Sequence, residues 1–579
     1  MPGWINPFKQ HDRRDFLDVS IPLSEAHRDS QQPRTKGGDP VPTLDGIISA
    51  ENGTTLPPEP NILTFEALRA EVENDLAVSG HDTAYDRKSK VINRAIQDIG
   101  MGRYQWELFV LCGFGWLADN LWLQGVALTL PQLSLEFGIS ESHVRFTTCA
   151  LFVGLCIGAS FWGIASDLIG RRLAFNMTLF LAGVFGTAVG GSPTWIGVCA
   201  MYSAMAMGVG GNLPVDGALF LEFLPFASGN LLTMLSVWWP VGQLIGSLFA
   251  WVYIPNFTCV SGLPSCSVTN VAPCCKREDN MGWRYLVFTL GCLTLLMFAC
   301  RFFLFHLHES PKFLLSRGRQ EDAVATVHAI ASKNGAKTWL TVDILNKIGG
   351  YPEEVPNQTL SSTDIVRRAF SKFSTQRIGP LFATKRLGLT TIILWFCWAT
   401  IGMGYPLFNA FLPQYLSHAG ASGGATPVNI TYRNYAITSI VGVPGSIIAC
   451  FTVDVKYVGR KGTIAISTLI TGIILFCFTV STNPNVQLVC ASLEAFFQNI
   501  MYGVLYAYTP EVFPAPNRGT GTGIASFFNR ICGLMAPIVA IYGGNTNPNV
   551  PVYIASGLIL AAFVAMCLLP IETRGKQTL

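Results

Sequence analysis

Twelve long apolar runs dominate this sequence and decide the environment in which it can fold. A helix needs about 20 largely apolar residues to cross the hydrocarbon of a bilayer. Runs of that kind lie near 108–130, 144–166, 172–190, 194–216, 230–254 and 284–306. After a polar stretch, six more lie near 388–412, 432–454, 462–480, 486–508, 518–543 and 551–570. Composition points the same way. Of 579 residues, 50% are hydrophobic and only 13% charged, with mean hydropathy +0.39, whereas soluble domains carry about 25% charged residues. That much apolar surface cannot be hidden in one soluble core. The expected class is an all-α membrane protein of twelve transmembrane helices.

The net charge of +3 says little about partners. Basic residues form no stripe with interleaved aromatics, which argues against nucleic acid. Their distribution does set orientation, because cytoplasmic loops are enriched in Lys and Arg. The segment 307–387 holds twelve of them, and Arg171, Arg172, Arg460 and Lys461 fall between helices on the same side. Both termini are therefore expected in the cytoplasm. Residues 1–103 read as a cytoplasmic tail, largely disordered, with stretches such as QQPRTKGGDP and TTLPPEP. The chain does not open on a signal-peptide pattern. Val91, Ile92, Ile96 and Ile99 share one helical face, with Lys88, Lys90 and Arg94 nearby. That spacing predicts an amphipathic helix on the membrane surface, or else a soluble tail helix.

On the opposite side, Asn256-Phe-Thr and Asn429-Ile-Thr are glycosylation sequons in outside loops. Most of the 16 cysteines sit singly in apolar runs as packing residues. Cys259, Cys266, Cys274 and Cys275 crowd into one outside loop, where two disulfides or free thiols are both open readings.

Six helices, a polar segment and six more suggest two related halves. The loop after the second run reads Gly163-Ile-Ala-Ser-Asp167-Leu-Ile-Gly170-Arg171-Arg172. The matching loop of the second half reads Asp454-Val-Lys-Tyr-Val-Gly459-Arg460-Lys461. Each gives an acid at a helix end, a glycine turn and paired cations. Glycine permits the tight turn and close helix approach, and acid and cations can lock neighbouring helices. Ordinary positive-inside anchoring is the alternative.

On these residues the chain resembles the major facilitator superfamily. The first loop matches that family's G-x-x-x-D-x-x-G-R-R/K pattern; the second has a longer spacer. HESPKFLLSRGR, His308 to Arg319, is similar to a sugar-porter and organic-ion-transporter signature, with His308 and Lys312 departing from it. The stretches Gly208 to Pro225 and Tyr508 to Pro537 resemble the synaptic-vesicle-glycoprotein-like and organic cation/anion branch. The resemblance spans about 104–572. It implies a rocker-switch carrier of two six-helix bundles with pseudo-twofold symmetry, 104–306 and 388–572. A cytoplasmic loop, 307–387, would join them, and 573–579 would form a cytoplasmic end.

Ionisable residues inside spans are costly, so each is a functional candidate. Asp119, in the first span, is the first choice for proton coupling, since a buried carboxylate can hold a proton near neutral pH. Pairing with a buried cation is the alternative. Asn212 and Asp216 share a face of the fourth span, where Asp216 can serve as a second relay or a substrate contact. Glu494, Gln498 and Tyr502 recur every four residues in the tenth span, with Asn499 beside them. This stripe faces a wet cavity or hydrogen-bonds between helices. Trp238, Trp239, Tyr405 and Asn409 can line the same cavity. Arg530 aligns, by the resemblance, with an arginine of organic-anion carriers, and a guanidinium binds a carboxylate bidentately. A structural pair with Asp119 or Glu494 is its alternative. Glu222, Glu511 and Arg518 are read with the loop motifs as parts of a cytoplasmic gate.

The leading expectation is a secondary active carrier for a small organic anion of carboxylate type, driven by protons. Inorganic phosphate or sugar symport is the second reading, and a non-transporting receptor on the same fold the third. An enzyme is not expected: there is no metal-ligand cluster, G-x-S-x-G elbow or Walker loop, so neither metal nor cofactor is predicted. The expected partners are the solute, protons and the bilayer, with the chain a monomer in the plasma membrane.

Overall fold

The computed structural model describes residues 19–25, 64–79, 84–225, 230–259, 263–269, 273–305, 307–351, 378–417, 427–453, 455, 458–481, 483–513, 518–544 and 549–573. Among them regular structure is helical, with isolated bridges pairing Ser20 with Thr338 and Ser265 with Cys275. The principal helices, in chain order, are α1 Phe65–Ser79, α2 Ala84–Ile99, α3 Arg103–Phe137, α4 Phe146–Ile169, α5 Arg171–Gly191, α6 Trp195–Phe223, α7 Trp238–Tyr253, α8 Gly282–Ala299, α9 Pro311–Ser316, α10 Gln320–Asn334, α11 Val342–Gly349, α12 Lys385–Asn409, α13 Val428–Thr452, α14 Gly459–Val480, α15 Pro484–Val512, α16 Arg518–Gly544 and α17 Val550–Cys567.

Ten helices among the described residues are long and apolar enough to cross a membrane: α4, α5, α6, α8 and α12 to α17. The two other expected spans differ for separate reasons. Helix α3 has 35 residues, ample length, but it buries Asp119, Asn120, Gln124, Gln132 and Glu136. Those polar groups lower its hydropathy because they face protein rather than lipid. The run near 230–254 is broken. A short helix, Asn230–Leu235, ends before a turn at Ser236 and Val237, and α7 follows with 16 residues. Pro240 stands in the first turn of α7, where its missing N–H costs least.

The chain divides into two compact units. Met1–Leu108, Leu219–Gly229 and His308–Ser361 form one, so tail and central segment belong together. Phe109–Ala218, Asn230–Leu307 and Ser362–Leu579 form the other, which therefore holds both sets of apolar helices.

In the first unit, α2 buries Val91, Ile92, Ala95, Ile96 and Ile99 on one face, as its periodicity predicts. That face packs against α9, α10 and α11. The central-segment helices supply buried Leu314, Leu315, Val327, Ile330, Leu345 and Ile348. Their ends are capped: the hydroxyls of Ser310 and Thr341 accept from the N–H groups of Phe313 and Ile344, and Gly335 closes α10 at φ +66°. The Lys88 ammonium donates to Gln320 Oε1 at 3.0 Å and Asn346 Oδ1 at 3.2 Å; its burial lowers its pKa from the ordinary lysine value. Trp339 donates to Asp98 at 2.8 Å, and burial raises the Asp98 carboxyl despite Arg94 beside it. The C-terminus of α10 grips the start of α3, with Lys333 paired to Glu107 and Asn334 bonded to Gln105 and the Tyr104 N–H.

In the second unit, α5 packs on α8, and α12 to α17 pack on one another. Contacts between the two sets run chiefly through α7 with α13 and α4 with α16. Helices α4 and α6 meet backbone to backbone: a Cβ at Gly158 would lie 2.2 Å from the Met207 carbonyl oxygen.

Candidate functional site

Helix α3 brings Asp119 into the interior of the second unit, where Asn212 of α6 donates to Asp119 Oδ1 at 3.1 Å and to the Gly115 carbonyl at 3.3 Å. Both side chains are buried. One turn along α6, Asp216 is held differently. Arg301, in the π-turn after α8, donates to Asp216 Oδ2 at 2.7 Å, to Leu111 O at 2.8 Å and to Phe175 O at 2.9 Å, and lies over the Phe175 ring at 3.7 Å. Asp216 therefore belongs to a buried ion pair, and Arg301 is a residue the sequence reading passed over. It lies inside an apolar run, so the rule that singled out Asp119 applies to it equally.

Arg530 of α16 reaches the first set of helices, donating to the Leu155 and Gly210 carbonyls at 3.3 Å each. Among the described residues it forms no ion pair. Its expected pairing with Asp119 or Glu494 is therefore not among the ion pairs of the described residues; Gly210, whose carbonyl it holds, lies two residues before Asn212, the partner of Asp119.

In the second set, Asn409 of α12 donates to Glu494 Oε1 at 3.2 Å and Gln498 Oε1 at 3.1 Å. Glu494 and Gln498 are buried, and among the described residues Glu494 Oε2 and Gln498 Nε2 have no hydrogen-bond partner. Gln243 of α7 bridges Asn120 and the Tyr405 hydroxyl at 3.0 Å each, joining the two sets. Tyr405 and Asn409 also line a small cavity with Gln124, Thr148 and Phe152. Between the polar groups lies an aromatic cluster. Trp116 stacks on Trp239 at 4.7 Å, Tyr506 meets Trp239 and Trp398 edge-on at 4.6 Å, and Tyr502 meets Tyr405 at 5.4 Å.

Two residues expected in this cavity point elsewhere. Asn499 donates to Ala495 O of its own helix at 2.8 Å and abuts Gly442 of α13; next to Gln498, it is turned about 100° round the helix. Trp238 lies over Gly113 and against Phe109 and Phe114.

At the end bearing the loop motifs, Asp167 pairs with Arg171 at 3.1 Å and Arg460 with Glu511. The N–H groups of Arg460 and Lys461 both donate to Glu572 at 3.1 Å, a partner not foreseen. Gly170 and Gly459 adopt φ +105° and +60°, the left-handed side that glycine permits. Gly163 does not need to be glycine for space: a Cβ there would meet nothing within 4 Å. Arg172 caps its own helix turn by accepting from Asn176, and Glu222 falls in the first unit. Asp454 and the Arg518 side chain lie outside the described residues.

At the other end, disulfides join Cys259 to Cys275 and Cys266 to Cys274. Beneath them Glu136 pairs with Arg284 and accepts from Trp283 at 2.7 Å. The two helix sets are tied here by Arg145, which donates to Gln414 and the Ala540 carbonyl, and by Tyr432, which donates to Leu128 O. Asn256 is exposed, as is Asn429, which accepts from Trp251 at 2.7 Å.

The model of the family described as "Sugar (and other) transporter" matches residues 104–578. The chain is 44% identical over 498 residues to a Ceriporiopsis subvermispora protein named MFS siderochrome iron transporter 1, covering 86% of this chain and 93% of that one. It is 26% identical over 553 residues to the synaptic vesicle 2-related protein of Xenopus laevis, covering 93% and 87%. Among solved structures, the proton:xylose symporter XylE bound to 6-bromo-6-deoxy-D-glucose matches with a TM-score of 0.58 at 20% identity, over 82% of this chain and 98% of that one.

Proposed function

The chain belongs to the sugar (and other) transporter family of the major facilitator superfamily, a multi-pass membrane transporter and not an enzyme, and from that premise we propose that it carries a small organic anion of carboxylate type, coupled to protons. One observation carries this reading. Arg301 and Arg284 are each neutralised by a buried carboxylate, whereas among the described residues Arg530 donates to two backbone carbonyls at 3.3 Å and to no carboxylate. A guanidinium stays protonated and matches a carboxylate bidentately, so Arg530 has charge and donors to offer an incoming anion.

Coupling is read from placement: Arg530 donates to Gly210 of α6, two residues before Asn212, which donates to Asp119. An anion docking on Arg530 offsets the guanidinium charge there. Asp119 then faces a negative neighbour in a low-dielectric interior, and taking up a proton relieves the repulsion. Substrate and proton would enter together and leave together.

We read 104–306 and 388–572 as the two halves that alternate, with both termini and 307–387 in the cytoplasm. The twelve cations of 307–387 support that orientation, and the disulfides with exposed Asn256 on the other side suit a plasma-membrane route. A sugar is the second reading, favoured by the amide and hydroxyl network of Gln243, Asn120 and Tyr405. The name of the Ceriporiopsis relative adds ferric chelates as competitors worth including. Uptake into proteoliposomes under an imposed pH gradient tests all of these. Accumulation of carboxylates that disappears in Arg530→Ala supports the reading; sugar uptake indifferent to Arg530→Ala ends it.

A further inference from the structure

Helix α15 carries Glu494, Gln498, Tyr502 and Tyr506 on one face, and the electrostatic surroundings change along it. At one end Glu494 and Gln498 are joined by Asn409, and Tyr502 meets Tyr405 at 5.4 Å. At the other, Tyr506 meets Trp116 of α3 at 6.0 Å, three residues before Asp119, whose partner Asn212 lies two residues after Gly210, the carbonyl that Arg530 holds. The stripe therefore has an acid end and a cation end, with rings between them.

The acid end is built but incompletely satisfied. Asn409 fixes Glu494 and Gln498 side by side through one oxygen of each. This leaves an acceptor, Glu494 Oε2, and a donor, Gln498 Nε2, on two buried side chains held by the same amide, both without a partner among the described residues. Leaving either so is costly in a dry interior. A hydroxyl group is complementary to the pair, since its O–H donates to the carboxylate while its oxygen accepts from the amide. An ether oxygen can satisfy only the amide, and a second carboxylate would be repelled by Glu494.

The stripe is long enough for one ring. Gln498 and Tyr506 are eight residues apart, about 12 Å along the helix axis, and a single aromatic ring with a hydroxyl at one end, a carboxylate at the other and a hydrogen bond added to each spans about that length. Tyr502, Tyr506, Trp239 and Trp116 supply faces and edges for such a ring.

We propose that Glu494 and Gln498 are a second substrate anchor, selecting hydroxyl-bearing aromatic acids whose carboxylate is held at the Arg530 end. The inference rests on the anion reading above and adds the far end of the molecule to it. Binding to the purified full-length protein is measured by competition in tryptophan fluorescence with benzoate, 4-hydroxybenzoate and 4-methoxybenzoate. The hydroxy acid is expected to bind tenfold or more tighter than the methoxy acid, the size of a hydrogen bond to a charged group. In Glu494→Met and Gln498→Met, straight apolar side chains of similar length, that ratio is expected to fall to within about threefold. Equal binding of hydroxy and methoxy acids to the wild type overturns the second anchor and leaves the anion reading standing. A ratio unchanged in both variants also overturns it. Absence of binding by all three acids removes both proposals. Should the variants fail to fold, the wild-type ratio decides by itself.

Discussion

Arg301 and Arg530, two of the arginines among the helices of the second unit, are received in opposite ways. Arg301 is fully buried, paired to Asp216, bonded to two carbonyls and covered by the Phe175 ring. Arg530 is half-buried and rests on two long carbonyl contacts from the other set of helices. A cation whose three nitrogens are each bonded locally and whose charge is paired has little left for a solute and locks the packing around it. A cation held by weak contacts across the two sets can exchange them for a carboxylate at small cost. The difference separates a structural charge from a working one more sharply than burial does, since Asp119 and Asp216 are about equally buried.

The contrast is easiest to break through stability. Removing one partner of a buried pair strands the other's charge, at a cost of about 3–5 kcal/mol. Arg301→Ala and Asp216→Ala are therefore expected to lower the thermal unfolding temperature strongly and to reduce yield. The double replacement Arg301→Met with Asp216→Met should recover much of the loss. Were Arg301→Ala as stable as wild type, the pair would not be the lock described here. Next in size is Arg530→Ala. It should leave unfolding within about 1 kcal/mol of wild type, the net scale of a weak hydrogen bond, yet reduce carboxylate uptake by about a hundredfold, as loss of a charge-assisted bidentate contact implies. Arg530→Lys, a point charge without the fork, should recover only part of that uptake.

Asp119→Asn sharpens the comparison from the side of the proton. It keeps the shape and the hydrogen bond from Asn212 but cannot ionise. Counterflow of labelled substrate should persist, while accumulation driven by a pH gradient falls to the level of equilibration. Retained accumulation would move coupling elsewhere, with Glu494 the next buried acid to test.

Apolar run length was enough to mark ten of the helices, because that signal is local. It was not enough for α3 and α7, whose polar residues and break answer to neighbours far along the chain. Periodicity identified the buried face of α2, Val91 to Ile99, but not what covers it. An apolar face is satisfied equally by lipid or by protein, and Asn346, which accepts from Lys88, lies 258 residues away. The same distance effect hid the Asn409 bridge between Glu494 and Gln498, 85 and 89 residues away, whereas the disulfides join cysteines only 16 and 8 residues apart, where spacing alone does not choose among the pairings. Arg301 was legible from its place in an apolar run. Asn499 stands beside the stripe in sequence, but one residue is about 100° round a helix, and its amide turns to the Ala495 carbonyl.

Lys88 extends the comparison to a third buried cation and carries the smallest expected effect. Like Arg530 it takes neutral oxygens, here the amides of Gln320 and Asn346. Unlike an arginine, a lysine can shed its proton when desolvated, and burial lowers the Lys88 pKa below the ordinary 10.5. The unfolded segment therefore binds more protons than the folded one between the lowered value and 10.5, so stability rises with pH across that window. The stabilisation is absent below the lowered value and complete above the ordinary one. Protection of α2 from limited proteolysis should thus increase from neutral to alkaline pH in the wild type, relative to Lys88→Met at each pH. A ratio between the two proteins that does not change with pH would mean that the ammonium is as well served by two amide oxygens as by water.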